Sequence, residues 1–127
     1  MQSFENLIPH DAIINYIKID RTNPGKVDSI VFELNTADKI KFELIFMEVY
    51  AINFNMNLGI IADESIREAY VETENSELEK IRNKWNVIGV DLTALECYVI
   101  NTNSTNSLFR IYAKEFPRLV SLASASM

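Results

Sequence analysis

From Lys39 to Asn57 the chain reads KIKFELIFMEVYAINFNMN. Its apolar residues fall on alternate positions: Ile40, Phe42, Leu44 and Phe46, then Tyr50, Ile52, Phe54 and Met56. Only Glu48 breaks the parity. Successive side chains of a strand point to opposite faces, so this spacing describes one apolar stripe on a β-structure. At about 3.3 Å per residue the stretch would run roughly 60 Å, too long for one straight strand in a chain of this size. The pattern therefore predicts two strands, or one sharply bent at Met47-Glu48, with the rest of the fold built against them.

Flanking patterns fill in the remaining elements. Ala12 to Asp20 is rich in β-branched residues (Ile13, Ile14, Ile17, Ile19) and predicts a strand buried in part on both faces. Arg21 to Lys26 contains Pro24-Gly25 and reads as a turn. Asp28 to Asn35 alternates cleanly, with Ile30, Phe32 and Leu34 inward, and Asn35-Thr36-Ala37-Asp38 closes a hairpin onto the stripe. The first ten residues read as a loose lead-in anchored by Leu7 and Ile8. Residues 64 to 73 match both helical and strand spacing, and we read them as a short strand or extended segment. Ser76-Glu77-Leu78-Glu79 has the form of a capping box, opening a helix of nine or ten residues whose apolar face is Leu78, Ile81 and Trp85. Ala94 to Thr102 and Leu108 to Glu115 read as two more strands, joined by a polar turn and ended by Phe116-Pro117. Together these predict an α+β fold: an antiparallel, hairpin-rich curved sheet of five to seven strands with one short helix packed on it. One domain over residues 1–120 and a disordered tail over 121–127 complete the expectation.

Composition narrows the function classes. Hydrophobic residues are 48% and charged residues 24%, the balance of an ordinary globule, and no run is long enough to cross a bilayer as a helix. The N-terminus lacks a basic flank and an apolar core, so a cytoplasmic location is expected. Cys97 is the single cysteine, which excludes an internal disulfide. The net charge of -6 disfavours nucleic acid and favours a basic partner.

Candidate chemistry is sparse. His10-Asp11 joins the one imidazole to a carboxylate, but adjacent residues of an extended segment point apart, so Asp11 is badly placed to orient the ring. Cys97 sits in an apolar strand without cations beside it and reads as a core residue. Gly25, Gly59 and Gly89 stand too far apart for a phosphate loop, and no carboxylate spacing suits a metal. We therefore expect no catalytic residues, no cofactor and no metal. Asn103-Ser104-Thr105 matches a glycosylation sequon and reads as a turn.

One feature stands out. Between Asp63 and Glu79 lie seven acids (Asp63, Glu64, Glu68, Glu72, Glu74, Glu77, Glu79) against one base, Arg67. Such a run either keeps a solvated face soluble or forms a docking surface for a basic protein, with Tyr70 adding contact area. The segments HDAIINYIKID (10–20), NMNLGIIADESI (55–66) and INTNSTNSLFRIYAKEF (100–116) resemble a group of small bacterial proteins found near secreted polymorphic toxins, some of which look like immunity proteins. The resemblance implies a cytoplasmic inhibitor that binds and neutralises a basic toxin. On this reading the contact surface is Asp63, Glu64, Glu68, Tyr70, Glu72, Glu74 and Glu77. Two alternatives remain: a small-ligand module or enzyme, with Tyr16, Tyr50, Tyr98 and Tyr112 lining a cavity between sheet and helix, and a homo-oligomer pairing through an exposed strand edge.

Overall fold

The clean alternation at Asp28–Asn35 appears as β2 (Val27–Asn35), paired antiparallel with β1 (Ile13–Asn23) on one side and β3 (Lys41–Phe46) on the other. In this computed structural model residues 3–9, 11–25 and 27–122 are described. Ile30 faces Phe46, Phe32 faces Leu44 and Leu34 faces Phe42, so the alternating apolar residues of both strands land on one side. The stripe does split at Met47-Glu48. Glu48 takes a left-handed backbone (φ 50°), uncommon for a residue with a Cβ, and its carbonyl accepts the Lys114 N–H at 3.1 Å. This corner sends the chain out of the first sheet and into a second one as β4 (Val49–Asn55).

The strands thus form two sheets rather than one curved sheet. β5 (Ile66–Glu72), β6 (Glu96–Thr102) and β7 (Leu108–Ala113) join β4 in the order β4-β7-β6-β5, and β8 (Arg118–Ser121) completes the first as β1-β2-β3-β8. Among the described residues the strands number eight against the five to seven expected. The difference comes from β8, only four residues long and placed after a proline, where no alternation can be read. Ser121 and Leu122, expected to open the tail, are instead held by the first sheet. Ser121 closes β8 and the Leu122 N–H donates to Lys41 O at 2.8 Å, while residues 123–127 lie outside the described residues.

Between the sheets lies one apolar layer: Ile14, Ile30, Phe32, Leu34, Leu44 and Phe46 from the first, Ala69, Tyr98, Ile100, Phe109, Ile111 and Ala113 from the second. Phe32 meets Phe46, Phe54 and Phe109 at centroid distances of 5.5–6.0 Å, mostly edge to face. Burial of each such side chain contributes roughly 1.5–3 kcal/mol. Phe4 also enters this layer, against Tyr98 at 5.2 Å, from a four-residue helix α1 (Phe4–Leu7) that the sequence pattern did not reveal. Ile14 N–H donates to Glu64 O and Ile66 N–H to Ala12 O, so β1 begins beside β5, whereas Ile19 lies beside β4.

A third layer covers the outer face of the second sheet. Helix α2 (Ser76–Val87) places Leu78 and Ile81 over Cys97, Val99 and Tyr112, and Trp85 packs edge-on to Tyr50 at 5.1 Å. β6 and β7 are therefore covered on both faces, which is why Cys97 to Ile100 reads as a continuous apolar run rather than an alternating one. The helix starts one residue earlier than the capping-box reading: Asn75 is the cap, its side-chain oxygen accepting the Leu78 N–H at 2.6 Å. It also runs twelve residues instead of nine or ten. Gly89, at φ 86°, ends it by letting Val90 N–H reach Trp85 O and Gly89 N–H reach Asn86 O, both at 3.0 Å.

Candidate partner-binding surface

Residues of β5, β6, β7 and β4 line up in rows on the outer face of the second sheet. The row Glu72-Cys97-Tyr112-Ala51 runs under or beside α2, followed by Tyr70-Val99-Arg110-Asn53 and then Glu68-Asn101-Leu108-Asn55. Pairing across the sheet thus gathers Glu68, Tyr70 and Glu72 on one face of β5. Glu74 and Glu77 follow at the start of α2, exposed, and Asp63 is exposed just before β5. Five of the seven proposed contact residues therefore lie along one margin of the molecule with their side chains at least partly available.

The other two are occupied by the fold. Glu72 Oε1 accepts from Arg110 Nε at 3.2 Å and from the cap residue's Asn75 Nδ2 at 3.0 Å, with the Cys97 thiol 3.8 Å away. That single oxygen ties β7 to the start of α2, across the intervening β6. Glu64 accepts from the hydroxyls of Thr105 and Ser107, and Asn57 Nδ2 donates to Thr105 O at 2.8 Å, fastening the β6–β7 turn to the segment before β5. These two carboxylates are structural. Glu68 accepts from Asn101 Nδ2 at 3.0 Å and lies 4.0 Å from the Arg67 guanidinium, and it stays exposed. Among the described residues no ion pair engages Asp63, Glu74 or Glu77.

Burial governs the titratable groups beneath the surface. It pushes the Cys97 thiol up, opposed by hydrogen bonds involving Tyr112 and Asn75, and pushes Tyr98 up to about 12. Tyr112 is raised by burial too, and further by the neighbouring Cys97. These groups are neutral inside the fold, with Cys97 fully buried. The tyrosines proposed to line a sheet–helix cavity do not converge on one. Tyr98 faces the layer between the sheets, Tyr112 is packed under α2, and Tyr16 projects outward from β1. The space between sheet and helix is filled by Leu78, Ile81, Leu92 and Leu95.

Sequence reasoning passed over two features of the surface. The loop from Asn57 to Asp63 exposes Leu58 (80%), Ile60 and Ile61 (103%) beside Asp63. Three large aliphatics without alternation, next to Gly59, were the available signal. The second is an open groove of about 520 Å³, lined by Ile19, Ile30, Val49, Tyr50, Ile52 and Trp85 with Asp20, Arg21, Asp28 and Glu48 at its rim. Arg21 Nε donates to Asp28 at 2.7 Å, which holds the Asp28 carboxyl below its usual range, and Glu115 is raised by the facing Glu48 carboxyl. His10 lies outside the described residues. Among those described, no group of three or more His, Cys, Asp or Glu has metal-holding geometry, and no helix is long and apolar enough to cross a membrane. Comparison with protein-family models, with curated proteins and with solved structures finds no match.

Proposed function

We propose that this chain is a non-catalytic binding domain that captures a basic protein, in the manner of a toxin-immunity protein, along the margin from Asp63 to Glu77. The supporting observation is the pairing of exposed acids with exposed aliphatics. Asp63, Glu68, Glu74 and Glu77 face solvent along this margin with Arg67 the one base, and Leu58, Ile60 and Ile61 project beside Asp63. Acids of this kind steer a cationic partner and speed encounter, while buried apolar anchors slow its departure. Glu64 and Glu72 hold the scaffold instead of touching the partner.

The test is surface-plasmon or stopped-flow binding to a basic protein toxin encoded beside this chain's gene. Glu68→Lys, Glu74→Lys and Glu77→Lys combined are expected to slow association about tenfold at low salt and to flatten its salt dependence. Ile61→Asp is expected to speed dissociation. An association rate unchanged by the three reversals defeats the assignment of this surface.

A further inference from the structure

Among the described residues four strand edges bound the two sheets, and three of them carry features that discourage pairing. β1 has Lys18, Asp20 and Arg21 and two breaks in register. β5 has Arg67, Glu68 and Glu72, and α1 lies against it. β8 is four residues long, opens on Arg118 and follows Pro117. Charge, bulges, brevity and covering all blunt an edge. β4 is different. Its seven residues, VYAINFN, include no charge, no Pro and no Gly, and β7 is the strand paired with it. Its one bulge falls between Val49 and Ala51, leaving Ala51 to Asn55 regular.

The surroundings of this edge are also unfinished. The far end of the β1–β2 hairpin lines the same groove as β4. Ile19 and Ile30 are direct cross-strand partners on the same face, yet Ile30 is 2% exposed and Ile19 is 56% exposed. Ile52 of β4, paired with the buried Ile111, is 38% exposed. Both line the groove, with Trp85 at its other wall. A strand added to β4 would lie in the groove that Ile19 and Ile52 line.

We propose that the free edge of β4 pairs antiparallel with β4 of a second copy of this chain, about a two-fold axis through Ile52. Charge permits this occupant at this edge. Each chain carries -6, so two copies repel overall, whereas β4 against β4 opposes no charges at all. Ile52 is the middle residue of β4, and an axis there sets Ala51 opposite Asn53 of the second copy, within the regular part of the strand. Two four-stranded sheets become one of eight, the closed cyclic arrangement commonest among homo-oligomers. β5 is the opposite edge of the same sheet, so both acidic margins stay free. The dimer is therefore independent of the binding reading and stands if that reading fails.

Light scattering on the full chain, from low micromolar to near-millimolar concentration, is expected to show mass rising to twice that of one chain. The rise is steeper at high salt, since salt screens the repulsion between copies. Ile52→Lys faces two cations across the axis and is expected to remain monomeric with an unchanged circular dichroism spectrum. Ile52→Cys is expected to cross-link to itself under mild oxidation. Directly opposed antiparallel residues have Cα atoms about 4.5–5.5 Å apart, within the roughly 4.4–6.8 Å a disulfide spans. Leu58→Cys is expected not to cross-link, and Cys97 is buried and takes no part. A monomer at every concentration and salt overturns the proposal. So does a dimer that survives Ile52→Lys, or one that is lost with Tyr16→Lys on β1 instead.

Discussion

Replacing Asn75 by Ala removes two bonds at once and tests where α2 begins. The Asn75 side-chain oxygen accepts the Leu78 N–H at 2.6 Å, and its amide donates to the Glu72 carboxylate at 3.0 Å. Loss of a helix cap costs about 1 kcal/mol. Loss of the half-buried bond to a carboxylate, which keeps Arg110 as a partner, adds about 1 kcal/mol more. For a chain of this length 1 kcal/mol corresponds to about 4 °C in Tm, so thermal denaturation followed by circular dichroism is expected to shift down by about 8 °C. Asn75→Ser retains an oxygen to cap the helix but cannot reach Glu72 as a donor, and is expected to lose about half as much. A double-mutant cycle between Asn75→Ala and Glu72→Ala isolates their shared bond, at about 1 kcal/mol of coupling. Ser76→Ala is the decisive control. If the cap were Ser76, as the capping-box spacing suggests, that variant would cost as much as Asn75→Ala. With Asn75 as the cap, Ser76→Ala changes stability by less than about 0.5 kcal/mol. Equal losses at the two positions, or no loss at Asn75, refute the reasoning.

Two further outcomes follow from the buried layers. Tyr98 has its folded pKa raised from 10.0 to about 12 by burial, so the stability it contributes is complete below pH 10 and lost as pH rises through about 12. Phenolate absorbance should show Tyr98 ionising late, and Tyr98→Phe should weaken the alkaline loss of stability without altering it at neutral pH; a normal titration at Tyr98 would contradict its burial. Cys97 is fully buried with a raised thiol pKa, so Ellman's reagent is expected to label it only as fast as the structure opens. Labelling at the rate of a free thiol in native buffer would contradict the packing of α2 over β6.

The β2–β3 hairpin was legible because only one face of each strand is buried between the sheets, and that is the condition under which period-two alternation appears. The same parity could not show that Phe42, Leu44 and Phe46 belong to one sheet and Phe54 to the other, since both face the same layer. Alternation reports a face; it does not report the sheet. α1 was hidden because four residues span too little of a helical period to leave a pattern. The acidic margin was legible as a charge run. That Glu64 and Glu72 are spent on Thr105, Ser107 and Arg110 was not, because those partners lie 38 to 43 positions away along the chain. The uncharged edge of β4 was present in the residues as VYAINFN, but its exposure depends on strand order, which no local pattern encodes.

β7 holds the second sheet together, since β4 touches β6 and β5 only through it. Translation delivers the strands in a different order. β4 leaves the ribosome 53 residues before β7 begins, a delay of roughly 3 to 10 s at about 5–20 residues per second. Throughout that interval the nascent chain carries VYAINFN with both of its edges open, which makes β4 the segment a chaperone has most reason to shield.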